Sequence, residues 1–287
     1  MSLNSVNTNI GAMVALQTLN RTNDALAASQ KRVSTGFRVA DAKDDGAVFA
    51  IAQAIRADVA ALTSANEQLG GAKGMLETTM SSLRNISDTL TKMKQVLVKL
   101  ADGNVTGQTR ADYVQQFNDL RESIKDFIND AGYNGKSLLK GTGTTSAQYV
   151  ATLQVVRNQL GTQYAMTGYD ASASIYASAS LLVGVTTAGG AASAAEMLTA
   201  GSAFTQAFNR VGTQLNIYGS NFNAVGNYIR FNKDKIDAIE AGLGALIDAD
   251  LAKESARLQA LQIRQQLGVQ ALGIANQSPQ ILLSLFR

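Results

Sequence analysis

Cysteine and histidine are both missing from this 287-residue chain. Without cysteine there is no disulfide, no thiolate nucleophile and no thiolate-bound zinc. Without histidine the commonest general base, the usual nucleophile–base triads and most zinc sites go as well. Tryptophan is absent, proline occurs once, at Pro279, and aromatic residues make up only 6% of the chain. Charge is missing too over long stretches, both ends among them. No charged side chain occurs from Met1 to Asn20, before Arg21, and none from Gln265 to Phe286, before Arg287. Chain ends normally sit in water, so long uncharged ends are built to be buried against each other and against copies of the same chain. No run reaches the roughly 18 apolar residues of a membrane span, and the N-terminus lacks the basic start and apolar core of a secretory signal. A chain of this kind that leaves the cytosol needs another route.

What is present is helical periodicity. Hydrophobic residues make up 46% of the chain, and the net charge of +3 is spread without a basic run, which argues against a nucleic-acid partner. Ile55, Leu62, Leu69, Leu76, Leu83, Leu90 and Leu97 lie seven apart without a miss, with Ala65, Ala72, Thr79, Ile86, Met93 and Leu100 as a companion seam. Alternating steps of three and four define a coiled-coil stripe. They predict a helix from about Val48 to Leu100, on the order of 80 Å long at 1.5 Å per residue. Asp102-Gly103-Asn104 stops it. A second stripe, Tyr113, Phe117, Leu120, Ile124, Phe127 and Ala131, ends at Gly132, and the short connection makes it an antiparallel neighbour of the first.

A third stripe runs Phe204, Phe208, Val211, Leu215, Tyr218, Phe222, Val225, Ile229, Asn232, Ile236, Ile239, Leu243 and Leu246. Asn232 is its polar member, either a buried register pin or a residue at a wet edge. After Leu243 the steps to Ile247 and Leu251 are both four. Two consecutive fours are a stutter, which locally unwinds a supercoil and marks a junction between two segments, beside Gly242 and Gly244. The N-terminal stretch has its own stripe, Leu3, Val6, Ile10, Met13, Leu16, Leu19, Leu26 and Val33, broken at Ser34-Thr35-Gly36, with Asp41 to Gly46 as loop. The middle, about 141–195, is rich in Gly, Ala, Ser and Thr. With β character at Tyr149 to Val155, it predicts short hairpins and loops in a small surface insertion.

Motifs of chemistry fail on inspection. Gly135-Lys136-Ser137 resembles the tail of a phosphate-binding loop, but the earlier glycine it requires is Asp130, so a turn leading into a strand fits better. Asp41, Asp44 and Asp45 do not have the spacing of a calcium loop, and Lys43 sits among them, which reads as a solvated loop. Serine and threonine are plentiful with no histidine to activate them. The expectation is no enzyme, no cofactor, no metal and no catalytic residue. Asn4, Asn7, Asn9, Asn20 and Asn23 weaken an isolated N-terminal helix. Both ends are therefore expected to be mobile in a monomer and to order on assembly, which amide exchange over residues 3–33 tests.

Several segments together resemble bacterial flagellins. They are Leu3 to Asn9 and Ala12 to Asn20, Arg32-Val33-Ser34-Thr35-Gly36, Ala42-Lys43-Asp44-Asp45, and Ala50-Ile51-Ala52. Tyr133-Asn134-Gly135-Lys136-Ser137-Leu138-Leu139 is similar to the family's Phe-Asn-Gly turn with Tyr for Phe. Gln265 to Gly268, Ala275-Asn276-Gln277 and Ile281 to Arg287 are similar to the family's end. Asp248 to Ser255 is similar to the alphaproteobacterial branch, and the resemblance covers roughly 1–140 and 200–287.

The resemblance implies a mainly α fold, a long antiparallel coiled-coil bundle with paired N- and C-terminal helices and a small β-hairpin and loop insertion. Its division would be an inner terminal coiled coil (1–43 and 248–287), a helical bundle (44–140 and 196–247) and a short variable surface insertion (141–195). Inner-tube packing would fall to Leu3, Val6, Ile10, Met13, Leu16, Leu19, Leu26, Val33, Leu258, Leu261, Leu272, Ile281, Leu282, Leu285 and Phe286. The bundle core would be Ile55, Leu62, Leu69, Leu76, Leu83, Leu90, Leu97, Phe117, Leu120, Ile124, Val211, Leu215, Phe222, Ile229, Ile236 and Leu243.

The function so implied is a structural subunit that polymerises into the extracellular flagellar filament for swimming, exported unfolded through the flagellar type III channel. Implied partners are further copies of the chain, other flagellins, the filament cap, hook–filament junction proteins and a cytosolic secretion chaperone on about Leu251 to Phe286. Positions matching an Arg, Leu and Gln read by the animal flagellin receptor are Lys92, Val96 and Lys99, a departure that predicts weak activation. Without a receptor they are outer faces of the bundle. Ser172, Ser174, Thr186 and Thr187 are candidate O-glycan positions. A hook–filament junction protein and a cytosolic coiled-coil signalling module remain the alternatives, although charge-free ends speak against the second.

Overall fold

A computed structural model describes residues 9–142, 148–179 and 190–285, with the side chains of 278–285 left aside. Helix α1 spans Ile10–Thr35. Asn9 starts it, its side-chain carbonyl accepting from Ala12 N at 3.0 Å, so this asparagine is a cap and not a weak point of the helix. Gly36 ends it in the left-handed region (φ 75°), its N–H bonded to Arg32 O at 2.9 Å, a conformation a side chain would strain. Asp45 then accepts from Ala47 N and Val48 N, and α2 runs unbroken over Gly46–Leu100. Its end is capped by a cation. Arg110, 6% exposed, donates through Nη2 to Leu100 O and through Nε to Val105 O, both at 2.8 Å. A fixed positive charge there meets the orphan carbonyls and the negative pole of the helix.

Helix α3 spans Gly107–Asn129. Strands β1 (Gly132–Tyr133) and β2 (Lys136–Ser137) form a tight hairpin. Asn134 and Gly135 make its turn with φ of 49° and 73°, the doubly left-handed geometry of a two-residue hairpin. Strands β3 (Thr152–Val156) and β4 (Gln163–Thr167) pair antiparallel over five rungs. A π-helical turn (Ser172–Tyr176) leads into α4 (Ala177–Ala179), and α5 spans Gly190–Met197. Helix α6 covers Ala203–Ile247 and α7 covers Leu251–Leu285.

Packing divides the chain into two compact units, 1–58 with 237–287, and 59–236. In the second unit α2, α3 and α6 share one core. Lys99 lies over the Tyr113 ring and Gly74 abuts Tyr133, so α3 and the β1–β2 hairpin run back along α2. Lys73 lies over Phe222 and Asn66 bonds Asn232, so α6 is antiparallel to α2 as well. Leu62, Leu69, Leu76, Leu83, Leu90 and Leu97 are fully buried, as are Phe117 and Ile124, with Val211 at 1%. Each buried leucine contributes on the order of 1.5–3 kcal/mol. Leu120, Leu215, Phe222 and Ile229 are half-buried and pack against this core.

Four expectations need correcting. Ile55 and Leu243 do not belong to the bundle core. Both fall in the first unit, where Leu243 packs on Val39, Ala52 and Ile247, and Ile236 is only half-buried. Phe208 is 39% exposed because the buried line of α6 runs through Phe204, Val211, Tyr218, Val225 and Asn232 instead. The stutter after Leu243 is a real break. The chain leaves the helix at Asp248–Asp250, and Asp250 restarts it as the cap of α7 by accepting from Lys253 N at 3.1 Å.

The middle is also no mere surface insertion. Val155 and Met166 of the β3–β4 hairpin are 4% and 1% exposed, inside the core. The hairpin is tied along α6 by Tyr218 Oη to Thr167 O (3.2 Å), Tyr164 Oη to Asn221 Oδ1 (2.9 Å) and Lys235 Nζ to Gln159 Oε1 (3.0 Å). Asn232, 1% exposed, donates to Asn66 Oδ1 and Arg157 O. It is a buried and satisfied polar pin, not a wet edge. Finally, α2 holds one 18-residue stretch apolar enough by length and composition to cross a membrane.

Candidate assembly surface on the terminal helices

In the first unit α1 and α7 pack antiparallel, and a series of polar rungs crosses between them. Asn9 Nδ2 donates to Ala275 O at 2.7 Å. Leu19 lies against Gly268, where an added Cβ would come within 3.2 Å of Leu19 Cδ1. Gln265 Nε2 donates to Asn23 Oδ1 at 2.8 Å. Ser29 Oγ donates to Glu254 Oε2 at 2.8 Å, and Arg32 Nη1 reaches Glu254 Oε1 at 3.2 Å. Numbers climb on α1 while they fall on α7, so these rungs fix one antiparallel register. Ser29 is the one buried residue of α1. The Ser29 hydroxyl and the Arg32 charge hold the Glu254 carboxyl below its usual range.

Part of the apolar set faces water. Ile10, Met13, Val14 and Leu16 on α1, and Ile263, Leu267, Val269 and Ile274 on α7, are all between 48% and 70% exposed. A lone surface helix normally turns its apolar stripe inward. Here the pair covers leucines such as Leu19, Leu26, Leu258 and Leu261 and leaves this second set outside, an arrangement suited to further burial against other molecules.

The inner-tube candidates divide accordingly. Leu261 is buried at 7%, and Leu19, Leu26, Val33, Leu258 and Leu272 are half-buried. Ile10, Met13 and Leu16 are exposed. Leu3, Val6 and Phe286, and the side chains of Ile281, Leu282 and Leu285, lie outside the described residues. The polar rungs were missed by sequence reasoning, yet they left a trace. Leu19, Asn23 and Leu26 keep the four-then-three spacing, so Asn23 fills a slot of the stripe instead of breaking it.

The connection 36–45 is the solvated loop expected from its aspartates, and it is clasped as well. Lys31 Nζ meets Asp41 Oδ2 at 2.7 Å and Asp44 Oδ2 at 2.8 Å. Asp44 also accepts from Ala40 N and Asp41 N. The Lys31 ammonium first, then these N–H groups, lower the Asp44 carboxyl to about 2. Backbone bonds strap the same segment to the α6–α7 break. Arg38 N donates to Ile247 O at 2.6 Å and Ala249 N to Gly36 O at 2.9 Å.

Three further sets of candidates are scattered. Lys92 and Lys99 are exposed on α2, but Val96 is 4% exposed inside the core, so it is no outer-face position. Ser172 and Ser174 are half-buried in the π-helical turn instead of sitting in a loop, because that turn docks on α3 and the core through Ile175. Thr186 and Thr187 lie outside the described residues.

Comparison with known proteins bears on these surfaces. Residues 6–144 match the bacterial flagellin N-terminal helical region, and residues 202–286 match the bacterial flagellin C-terminal helical region. The chain is similar to flagellin FljK of Caulobacter vibrioides, 36% identical over 287 residues and covering 100% of both chains. It is similar to a flagellin of Brucella melitensis, 33% identical over 290 residues and covering 99% of each. Bacillus cereus flagellin aligns with a TM-score of 0.49 at 15% identity, over 57% of this chain and 88% of that one. With matches across both helical regions and whole-length relatives above 30% identity, the chain belongs to the bacterial flagellin family, the structural subunits of the flagellar filament.

Proposed function

We propose that this flagellin polymerises through the outward apolar faces of α1 and α7, which pack with their equivalents on neighbouring copies as the lining of the filament. The single observation that carries this reading is the set of half-exposed apolar residues on α1 and α7, beyond those the helix pair covers itself. Each apolar side chain taken from water on assembly supplies on the order of 1.5–3 kcal/mol when burial is complete. In this reading 1–58 with 237–287 is the assembling unit and 59–236 the bundle, to which the middle is tied through its β3–β4 hairpin.

The protein acts outside the cell as part of the flagellum and has no catalytic task. It passes the flagellar type III channel unfolded, a passage to which a chain without cysteine presents no disulfide. A cytosolic chaperone covers the apolar side of α7 before export, from Leu251 onward. The cap and the junction proteins contact the same terminal helices at the two ends of the polymer. With Val96 buried, the animal receptor finds only Lys92 and Lys99 of the three matching positions, and activation is weak. Intact mass against the calculated 30.2 kDa reports any O-glycan at Ser172, Ser174, Thr186 or Thr187.

Electron microscopy of the concentrated purified chain tests the central reading. Long helical tubes are expected. A protein that stays monomeric or stops at short oligomers would instead be a junction component.

A further inference from the structure

The β1–β2 turn sets a reactive pair of residues out in water. Asn134-Gly135 is the one Asn-Gly step of the whole sequence. Both residues are exposed, with φ of 49° and 73°. The hairpin behind them is fastened. Tyr133 pairs with Lys136, and Gly132 pairs with Ser137. Ser137, 3% exposed, donates from its N–H to Gln148 O at 2.8 Å and accepts from Val150 N at 2.9 Å. Its hydroxyl lies at hydrogen-bond distance from Ala131 O and Leu139 O. The base of the turn is therefore held while its tip meets solvent.

An asparagine before a glycine can react with its own main chain, because glycine has no Cβ to crowd its nitrogen. The Gly135 nitrogen, having lost its proton to hydroxide, attacks Asn134 Cγ. The N–Cγ bond forms, the Cγ–Nδ2 bond breaks, and Nδ2 leaves as ammonia with a proton returned from water. Water then adds to either carbonyl of the resulting succinimide and opens it. One opening turns Asn134 into an aspartate. The other leaves an isoaspartyl link, in which the main chain runs through the side-chain carbon. Water and hydroxide are the only co-reactants.

The fold sets the geometry of the first step. Ring closure requires the Gly135 nitrogen to lie beside Cβ across the Cα–C bond of Asn134. The left-handed region, with ψ of about 47°, turns that nitrogen to nearly the opposite side. We propose that Asn134 is a latent self-modification site, silent while the β1–β2 turn is closed and reactive whenever it opens. The reaction then runs in proportion to the open fraction of the hairpin. Its two products differ in fate. An aspartate occupies the left-handed region as asparagine does, so the turn re-forms. The isoaspartyl link adds a carbon to the main chain, and a two-residue turn matched to the twist of its strands has no place for it. Time spent unfolded is thereby recorded as chains whose β1–β2 hairpin fails to close. None of this depends on assembly.

Mass spectrometry of the tryptic peptide Asp126–Lys136 tests this, with the full chain held in mildly alkaline buffer either folded or in guanidinium chloride. The unfolded chain is expected to convert Asn134 to separable aspartyl and isoaspartyl forms. The folded chain should convert at least roughly tenfold more slowly, as for a reaction that waits on local opening. Equal rates in the two states overturn the protection by the turn. Asn134→Gln, whose longer side chain closes a larger and slower ring, should remove the conversion in the unfolded state, where folding of the variant is not at issue. Conversion that persists in that variant places the reaction at Asn129 of the same peptide and sinks the assignment. The two products are then separated and returned to native buffer. The aspartyl chain should regain amide protection at Ser137 and Val150, and the isoaspartyl chain should not. An isoaspartyl chain that protects both amides has a hairpin able to absorb the extra carbon, and overturns the difference in fate.

Discussion

The bundle of α2, α3 and α6 and the pair of α1 and α7 are both built of long helices with periodic apolar residues, yet they use those residues in opposite ways. In the bundle, Leu62, Leu69, Leu76, Leu83, Leu90 and Leu97 all vanish from the surface, and polar groups such as Asn232 are rare, paired and buried. In the terminal pair, Ser29 and Glu254 take the inside while Ile10, Met13, Ile263 and Ile274 remain in water. One region is complete as a folded body. The other leaves a large apolar set uncovered, and hydrogen bonds worth about 0.5–1.5 kcal/mol each add to what its few covered leucines contribute. Helical periodicity alone therefore does not distinguish a core from a surface awaiting a partner; the placement of polar residues relative to the stripe does.

Removing the charge-free ends should break this contrast most severely. A chain truncated after Gln265 loses Leu267, Val269 and Ile274 from the outward face of α7 and should form no tubes by sedimentation or microscopy. Its bundle should still unfold cooperatively in urea. Tubes growing from that truncated chain would mean that the terminal pair is not the assembly surface. A core substitution should do the reverse. Leu83→Ala, at a fully buried position, should cost about 2–5 kcal/mol in urea unfolding. Polymerisation of the folded fraction should be little changed.

Next in size is the polar rung. Glu254→Ala strips Ser29 and Arg32 of their partner and should destabilise the α1–α7 pair by about 1–3 kcal/mol, read as lost amide protection there and not in the bundle. Glu254→Gln, which keeps a side-chain acceptor, should lose less. Acid gives the mildest probe. The folded-state pKa of Glu254 lies below its ordinary 4.5. Its contribution is thus fully present above about that pH and is lost as pH falls through the depressed value. The Asp44 clasp should behave alike, intact above its ordinary 3.8 and lost as pH approaches about 2. Protection of Ala40 and Asp41 amides measured between these limits should fall, and should be insensitive to pH in Asp44→Ala.

Much of the architecture was legible because its driving force is periodic. Six leucines at sevens from Leu62 needed no structure to be read as one buried face, and Gly36 and Asp102-Gly103 marked helix ends by their chemistry. What escaped was set by hydrogen bonds between distant residues. Asn9 and Asn23 looked like weak points because their partners, Ala275 and Gln265, are more than 240 residues away. The stutter after Leu243 marked the junction, but not that the helix stops there, at Asp248–Asp250. The β3–β4 hairpin looked peripheral from its small polar residues, while two side chains, Val155 and Met166, anchor it in the core.

Arg110 carries a consequence for how such a molecule endures its surroundings. The stopper it forms joins Leu100 O and Val105 O within one turn of chain, so the end of α2 is sealed without any carboxylate. The fastenings of the first unit rely on the carboxylates of Glu254 and Asp44 instead, and acid loosens them as it loosens Glu122 of the bundle, which Arg121 and Lys125 lower to about 2.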